Sequence, residues 1–256
     1  MLTMGIDAGN LLTKVVLMDG DDLMAFAVSE TTGAVAKDTE ALVSRVLDEA
    51  GIERSRVEQC GVTGSGACMV AGTDFSEDEV TCVSVATGYL LPEINMAVDI
   101  GGQSITSMLI DEDGDITNFM RNDKCASGSG RFLEVMSAAV GVPVSGIAAA
   151  VEGAEKRVVI SSQCGVFAES EVVSHVNEGE RPEDIVAGLC DSVASIVAAQ
   201  ARRFSAGDEY TLTGGVARIA PVRDLIVQKL GGTYHEFPFD PALAAAIGAA
   251  LLAGAN

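Results

Sequence analysis

Two short stretches carry the residue types that handle phosphate. They are Asp7-Ala-Gly9-Asn10 and Asp99-Ile-Gly101-Gly102-Gln103, and each falls where a hydrophobic strand pattern breaks into a turn. Glycine in such a turn has no Cβ, so the backbone can approach a polyphosphate and donate several N–H bonds to its oxygens. An aspartate at the end of the preceding strand can hold Mg²⁺ through water, because this ion sheds its hydration shell reluctantly. Lys14 supplies a cation to balance phosphate charge. A third turn, Thr213-Gly214-Gly215-Val216, follows a strand pattern and opens a helix, a place suited to a nucleoside or phosphate. A lone Asp-x-Gly is a common hairpin turn. Two copies with a downstream Thr-Gly-Gly point to a phosphate site instead.

The copies belong to an internal repeat. Residues 4–28 align without gaps on 96–120, an offset of 92 that matches Asp7 with Asp99, Gly9 with Gly101, Leu17 with Leu109, Asp19 with Asp111 and Asp21 with Asp113. Each copy predicts strand, Gly turn, strand, Asp/Gly turn, strand. Apolar spacing predicts helices over 38–50, with Asp38 as N-cap, and over 128–140, 166–177, 182–204 and 240–253. A further helix is expected after Gly66, and strands over 56–63, 158–161 and 209–213. The fold class is therefore α/β: two βββαβα-type halves with mixed sheets flanking a cleft. The expected division is 1–95 and 96–239, with a C-terminal helix over 240–256 packing back on the first half.

Composition narrows the partners. A formal charge of −21 disfavours nucleic acid and anionic membrane, since like charges repel. No run resembles a membrane span, and Met1 to Asp7 lacks the basic start of a signal peptide, so the chain reads as cytoplasmic. In a reducing compartment its six cysteines are not expected to form disulfides. None form a CxxC pair, and spacing alone announces no metal site. Cys60, Cys82 and Cys190 sit among apolar residues and read as small buried hydrophobes, while Cys68 stands at an expected helix start. His175 reads as lying on a polar helix, and the acidic runs at 77–79 and 111–113 as solvated surface.

The repeated strand–Asp-x-Gly–strand and the late Thr-Gly-Gly resemble the actin, Hsp70 and sugar-kinase superfamily of two-domain ATPases, whose halves are ribonuclease-H-like. Three motifs narrow the likeness: Asn122-Asp-Lys-Cys125-Ala-Ser-Gly-Ser-Gly-Arg131-Phe-Leu-Glu-Val-Met136, Ile160-Ser-Ser-Gln-Cys164-Gly-Val-Phe-Ala-Glu-Ser-Glu171 and Thr213-Gly-Gly-Val-Ala217. They resemble the activators of 2-hydroxyacyl-CoA dehydratases, a family that includes the benzoyl-CoA reductase ATPase subunits and the activators of double-cubane-cluster proteins. The resemblance implies ATP hydrolysis coupled to electron transfer, with Mg²⁺ held by Asp7 and Asp99 and the attacking water oriented by Gln103. Gly9, Asn10, Lys14, Gly101, Gly102, Gln103, Gly214, Gly215 and Val216 would bind the nucleotide.

It further implies a homodimer in which Cys125 and Cys164 of each subunit ligate one shared [4Fe–4S] cluster. A four-iron cluster takes four thiolates, and each of these cysteines precedes an expected helix, whose N-terminal N–H groups favour an anionic cluster. The implied partners are an iron–sulfur dehydratase or reductase, a double-cubane-cluster protein among the candidates, and a ferredoxin or flavodoxin as donor, all handled without oxygen. A small-molecule kinase of the same superfamily, or a non-catalytic actin-like scaffold, is the competing reading. Three positions depart from the family pattern: Asn10 where Ser is common, Thr63-Gly-Ser-Gly66 for TGYGR, and Ser104 where Asp usually follows Gly-Gly-Gln. The third withdraws a carboxylate from the metal's surroundings.

Overall fold

The computed structural model describes residues 1–112, 114–122, 125–161, 164–204 and 208–255. Asp113 of the repeat and positions 123–124 and 162–163 of the cysteine motifs lie outside them. The first half runs β1 (Leu2–Ala8), β2 (Leu12–Asp19), β3 (Asp22–Glu30), α1 (Val35–Ala50), β4 (Gln59–Thr63), β5 (Phe75–Ser76) and α2 (Glu79–Leu90). The second runs β6 (Met96–Ile100), β7 (Ile105–Ile110), β8 (Ile116–Asn122), α3 (Gly130–Ala139), α4 (Ile147–Glu152), α5 (Gly165–Asn177), α6 (Pro182–Ala201), β9 (Glu209–Thr213), α7 (Ala220–Leu230) and β10 (Thr233–Tyr234), and α8 (Ala244–Ala255) closes the chain.

The strands form two five-stranded sheets, β3-β2-β1-β4-β5 and β10-β9-β6-β7-β8. Read from the other edge, the second sheet has the order of the first. The repeat is thus structural, and it reaches fine detail. The Gly9 N–H bonds the Leu12 carbonyl at 3.1 Å, and the Gly101 N–H bonds the Ser104 carbonyl at 2.9 Å. The β2–β3 ladder shifts register at Leu17/Met18, and the β7–β8 ladder shifts at Leu109/Ile110. In both sheets the central three strands pair antiparallel on one side and parallel on the other, the mixed pattern the repeat predicts.

Each sheet buries its own apolar cluster, one including Ile6, Val15 and Val62 and the other Val98, Leu189 and Leu212. A third cluster joins the halves, with Val16 and Met18 from one sheet, Ala97 and Met108 from the other, and α2 and α8 between them. Helix α8 (AAAIGAALLAGA) lies on β1, β2, β4 and α2. Small residues make that approach possible. A Cβ on Gly5 would collide with the Ala246 carbonyl oxygen, one on Gly61 with that of Ala249, and one on Gly248 with that of Cys82 on α2. Cys60, Cys82 and Cys190 are buried, and burial pushes their thiols up to about 11, 12 and 12.

Several local expectations are corrected. The helix foreseen over 38–50 begins at Val35, and Asp38 does not cap it; its carboxylate instead accepts the Thr32 N–H and hydroxyl at 2.9 and 2.6 Å. The strand foreseen over 56–63 is only Gln59–Thr63, because 54–56 form a 3₁₀ turn. After Gly66 there is a single 3₁₀ turn, Ala67–Met69, cut short before Gly72 at φ +74°. No strand forms over 158–161. The Val158 N–H bonds the Asp184 carbonyl, and the Ser161 N–H bonds the Glu171 carboxylate, so neither joins a sheet. Against the expectation that nothing resembled a span, α6 is long and apolar enough to cross a bilayer, yet 72% of its apolar window is buried inside the molecule. A core helix passes the same test.

Candidate functional site

The two aspartates stand at matching strand ends. In the β1–β2 ladder Asp7 lies opposite Lys14, and the Lys14 Nζ donates to Asp7 Oδ2 at 2.6 Å. Oδ1 of the same carboxylate is buried and has no hydrogen-bond partner. In the β6–β9 ladder Asp99 lies opposite Thr213, whose hydroxyl donates to Asp99 Oδ1 at 2.9 Å. Burial raises the Asp99 carboxyl above its usual range, although the Thr213 bond and the Lys14 charge oppose this. Burial alone would depress the Lys14 ammonium; the charge and hydrogen bond of Asp7, with Glu79 and Asp99 beyond, outweigh it and hold the pKa above normal. These carboxylates are electrostatically short of cation, and the orphaned Asp7 oxygen is an open position for a hydrated divalent ion.

The turns after β4 and β9 repeat the same geometry. Gly64 has φ +91° and Gly214 φ +86°, conformations that favour glycine. A Cβ on Gly64 would stand 2.7 Å from the Ala8 carbonyl oxygen, and one on Gly214 would collide with that of Ile100, the residue matched to Ala8 by the repeat. Thr63-Gly64 is therefore the counterpart of Thr213-Gly214. The sequence carried that signal, since both strands end in Thr-Gly.

Between the sheets opens a cleft of about 260 Å³. Asp7, Gly9, Asn10, Lys14, Asp99, Gly101, Gly102, Gln103, Gly214, Gly215 and Val216 all line it, so the phosphate-site candidates from both halves converge. Gln103 is exposed at its lip. Four further lining residues carry charge, Glu30 at the end of β3 among them. Arg131 and Glu134, one turn apart on α3, pair at 2.7 Å. Glu79 corrects the reading of 77–79 as solvated surface. Asp78 caps α2 by accepting the Val80 N–H at 2.8 Å, which places Glu79 in the first turn, facing the cleft. An N-cap ahead of the apolar run 80–90 was the missed signal. Glu79 pairs with Arg121 at 2.8 Å. Burial, with the like charges of Asp7 and Asp99, pushes its carboxyl up to about 7.

Two departures from the family pattern touch each other: the Ser65 hydroxyl lies 3.0 Å from Asn10 Oδ1 at the cleft's edge. The third, Ser104, is buried, with Oγ 3.5 Å from an Arg121 nitrogen.

Cys125 and Cys164 stand outside the cleft, and both are exposed. Cys164 is the N-cap of α5, its carbonyl accepting the Ala168 N–H at 2.9 Å. The Cys125 sulfur lies 3.1 Å from the Ser127 hydroxyl. Hydrogen bonds from that hydroxyl, from the Ser127 N–H and from the Gly165 N–H hold the Cys125 thiol below its usual pKa. Gly165 directly follows Cys164, so the two cysteine segments meet. The donor set suits a thiolate-bound metal group, but it is half of one. Among the described residues no group of three or more His, Cys, Asp or Glu could hold a metal ion. Ser127→Ala should therefore slow alkylation of Cys125 by iodoacetamide at pH 7.5 in the metal-free chain, by roughly the lost thiolate fraction. Peptide mapping checks this, and an unchanged rate would contradict the assigned cause.

Helix α3 links the two regions. The Gly130 N–H bonds the Gly101 carbonyl at 3.0 Å, and the Arg131 N–H bonds that of Gly102 at 2.8 Å. The helix following Cys125 thus starts on the Gly101-Gly102 turn. Helix α5, expected to be polar around His175, instead exposes Val166, Phe167, Val173 and Val176.

Paired sheets of repeated order, with acidic strand ends and glycine turns facing a common cleft, define an actin-like ATPase fold. Residues 4–253 match the BadF/BadG/BcrA/BcrD ATPase family, and the chain belongs to it. It is 36% identical over 255 residues to the 2-hydroxyisocaproyl-CoA dehydratase activator of Clostridioides difficile, covering 99% of this chain and 95% of that one. It is 37% identical over 253 residues to the (R)-2-hydroxyglutaryl-CoA dehydratase activating ATPase of Acidaminococcus fermentans, covering 96% and 95%. Among solved structures, the activator of the 2-hydroxyisocaproyl-CoA dehydratase from Clostridium difficile with bound ADPNP superimposes with a TM-score of 0.92 at 34% identity, over 99% of this chain and 94% of that one. The chain is an ATPase of this activating family.

Proposed function

We propose that the protein is an ATP-driven electron-transfer activator that works as a homodimer in the cytoplasm. The observation that carries this reading is the meeting of Cys125 with the Gly165 N–H on an exposed face, joined through α3 to the second phosphate turn. Asp7 and Asp99 hold Mg²⁺ through water, Lys14 balances phosphate charge, and the turns at Gly9-Asn10, Gly101-Gly102 and Gly214-Gly215-Val216 bind the nucleotide. Gln103 orients the attacking water by hydrogen bonds, as a neutral amide can.

Cys125 and Cys164, with the same pair from a second copy, complete four thiolates. A [4Fe–4S] cluster bound there would supply a one-electron carrier of low potential. The exposed valines and Phe167 of α5, beside Cys164, provide apolar surface for the second copy or the partner. The halves move as 1–95 with 240–256 against 96–239, and α3 carries movement of the Gly101-Gly102 turn toward Cys125. ATP drives this only so far as it binds the two arrangements differently. The electron comes from a ferredoxin or flavodoxin and passes to an iron–sulfur dehydratase or reductase, of which a double-cubane-cluster protein is one kind.

Anaerobic reconstitution with iron and sulfide tests the reading. It expects a brown dimer holding about four irons, the content of one four-thiolate cluster. A colourless protein that stays iron-free would overturn it while leaving the ATPase assignment in place.

A further inference from the structure

The glutamate at the start of α2 is left without a task by that scheme. Glu79 lines the cleft together with Asp7, Asp99 and Lys14, and its side chain is 24% exposed. The charged groups around it are Asp7 on β1, Lys14 on β2, Asp99 on β6 and Arg121 on β8. Asp7 and Asp99 already have close partners, the Lys14 ammonium in the cleft lining and the buried Thr213 hydroxyl respectively. Glu79 is held differently. Its partner Arg121 approaches from behind, at 2.8 Å, and is not part of the cleft wall. Arg121 is itself under-used: its Nε is buried with no hydrogen-bond partner, and one terminal nitrogen lies 3.5 Å from the Ser104 hydroxyl.

We infer that Glu79 is the proton acceptor of ATP hydrolysis in this chain, that Arg121 positions it, and that Ser104 leaves Arg121 free to do so. The water oxygen forms a bond to the γ-phosphorus as the bond from that phosphorus to the β,γ-bridging oxygen breaks. The bridging electron pair leaves with ADP, and the water's proton passes to the Glu79 carboxylate. Gln103, exposed at the lip, has no basic group and can only orient the water. Glu79 has its cationic partner Arg121 outside the cleft lining, whereas Asp7 and Glu134 pair with Lys14 and Arg131 within it. An aspartate at 104 would place a second carboxylate beside Arg121 and divide its hydrogen bonds. A serine offers a neutral oxygen that leaves the guanidinium to Glu79.

The inference rests on ATP hydrolysis and not on electron transfer, so phosphate release by the reconstituted protein tests it separately from iron content. Glu79→Gln should lower kcat by about 100-fold, the lower range for loss of a general base, with KM for MgATP within about threefold. Glu79→Asp, which keeps the charge but withdraws the carboxylate, should also lose kcat at unchanged KM. Arg121→Met should lower kcat about tenfold, Arg121→Lys should restore most of it by keeping a cation behind Glu79, and Ser104→Asp should fall between them. Binding of a fluorescent ADP analogue reports that each variant is folded. If Glu79→Gln and Glu79→Asp both turn over within twofold of the unsubstituted protein, or if their loss is all in KM, the inference is overturned. Failure of Arg121→Lys to recover activity would remove Arg121 from it.

Discussion

Cys125→Ser and Cys164→Ser proteins will emerge from anaerobic reconstitution without iron while still binding MgATP. In the proposed dimer each substitution would remove two of the four thiolates, and an alcohol does not ionise near neutral pH to replace them. The nucleotide cleft should survive because neither cysteine lines it and neither is buried. The surrounding structure should survive too. Cys164 caps α5 through its carbonyl rather than its sulfur, and Cys125 is held by hydrogen bonds that a hydroxyl can also accept. Iron and acid-labile sulfide should drop from about four per dimer to near zero, and the affinity for a fluorescent nucleotide should stay within about threefold. Full iron content in either variant would remove that cysteine from the ligand set. Parallel loss of nucleotide binding would give the cysteines a structural task instead.

Gly248→Ala should destabilise the whole molecule. Two effects oppose each other. Alanine in a helix interior gains about 1 kcal/mol over glycine in propensity. Overpacking a close-fitted core costs typically 1–3 kcal/mol, and more when the obstacle cannot move aside. Here the obstacle is the backbone carbonyl of Cys82, so α2 and α8 would have to separate along the line where the halves join. The second effect wins. A net loss of about 2 kcal/mol corresponds to a melting temperature about 4–8 °C lower for a chain of this size. Gly33→Ala is the control, since its added Cβ meets nothing within 4 Å and its backbone is not in the left-handed region. Differential scanning calorimetry decides between them. Equal melting temperatures for the two variants would show that the α2–α8 crossing can relax. Because α2 also carries Glu79, turnover should suffer in Gly248→Ala beyond what the lower melting temperature explains.

The two effects act on different layers of the same design. One concerns side chains that the fold presents to solvent. The other concerns backbone that must pass within contact distance of backbone. Glycine serves both: at Gly214 it admits a positive φ and a close carbonyl, and at Gly248 it lets two helices touch.

The amino-acid sequence alone determined the duplication, and with it the matched aspartates, the glycine turns and the mixed sheets. Such features are local, since a strand–turn–strand unit is written in contiguous residues and its second copy needs only an alignment offset. The helices that depend on side-chain periodicity, such as α5 and α6, were legible for the same reason. Tertiary structure alone decided that Glu79 lines the cleft with the glycine turns, that Arg121 pairs with it, and that Asn10 meets Ser65. It also decided that the N–H after Cys164 bonds Cys125 and that the helix after Cys125 starts on Gly101 and Gly102. These partners lie far apart in the chain, 42 residues between Arg121 and Glu79 and 55 between Ser65 and Asn10. Their meeting follows from how two sheets and the helices between them pack, and local residue patterns do not encode that.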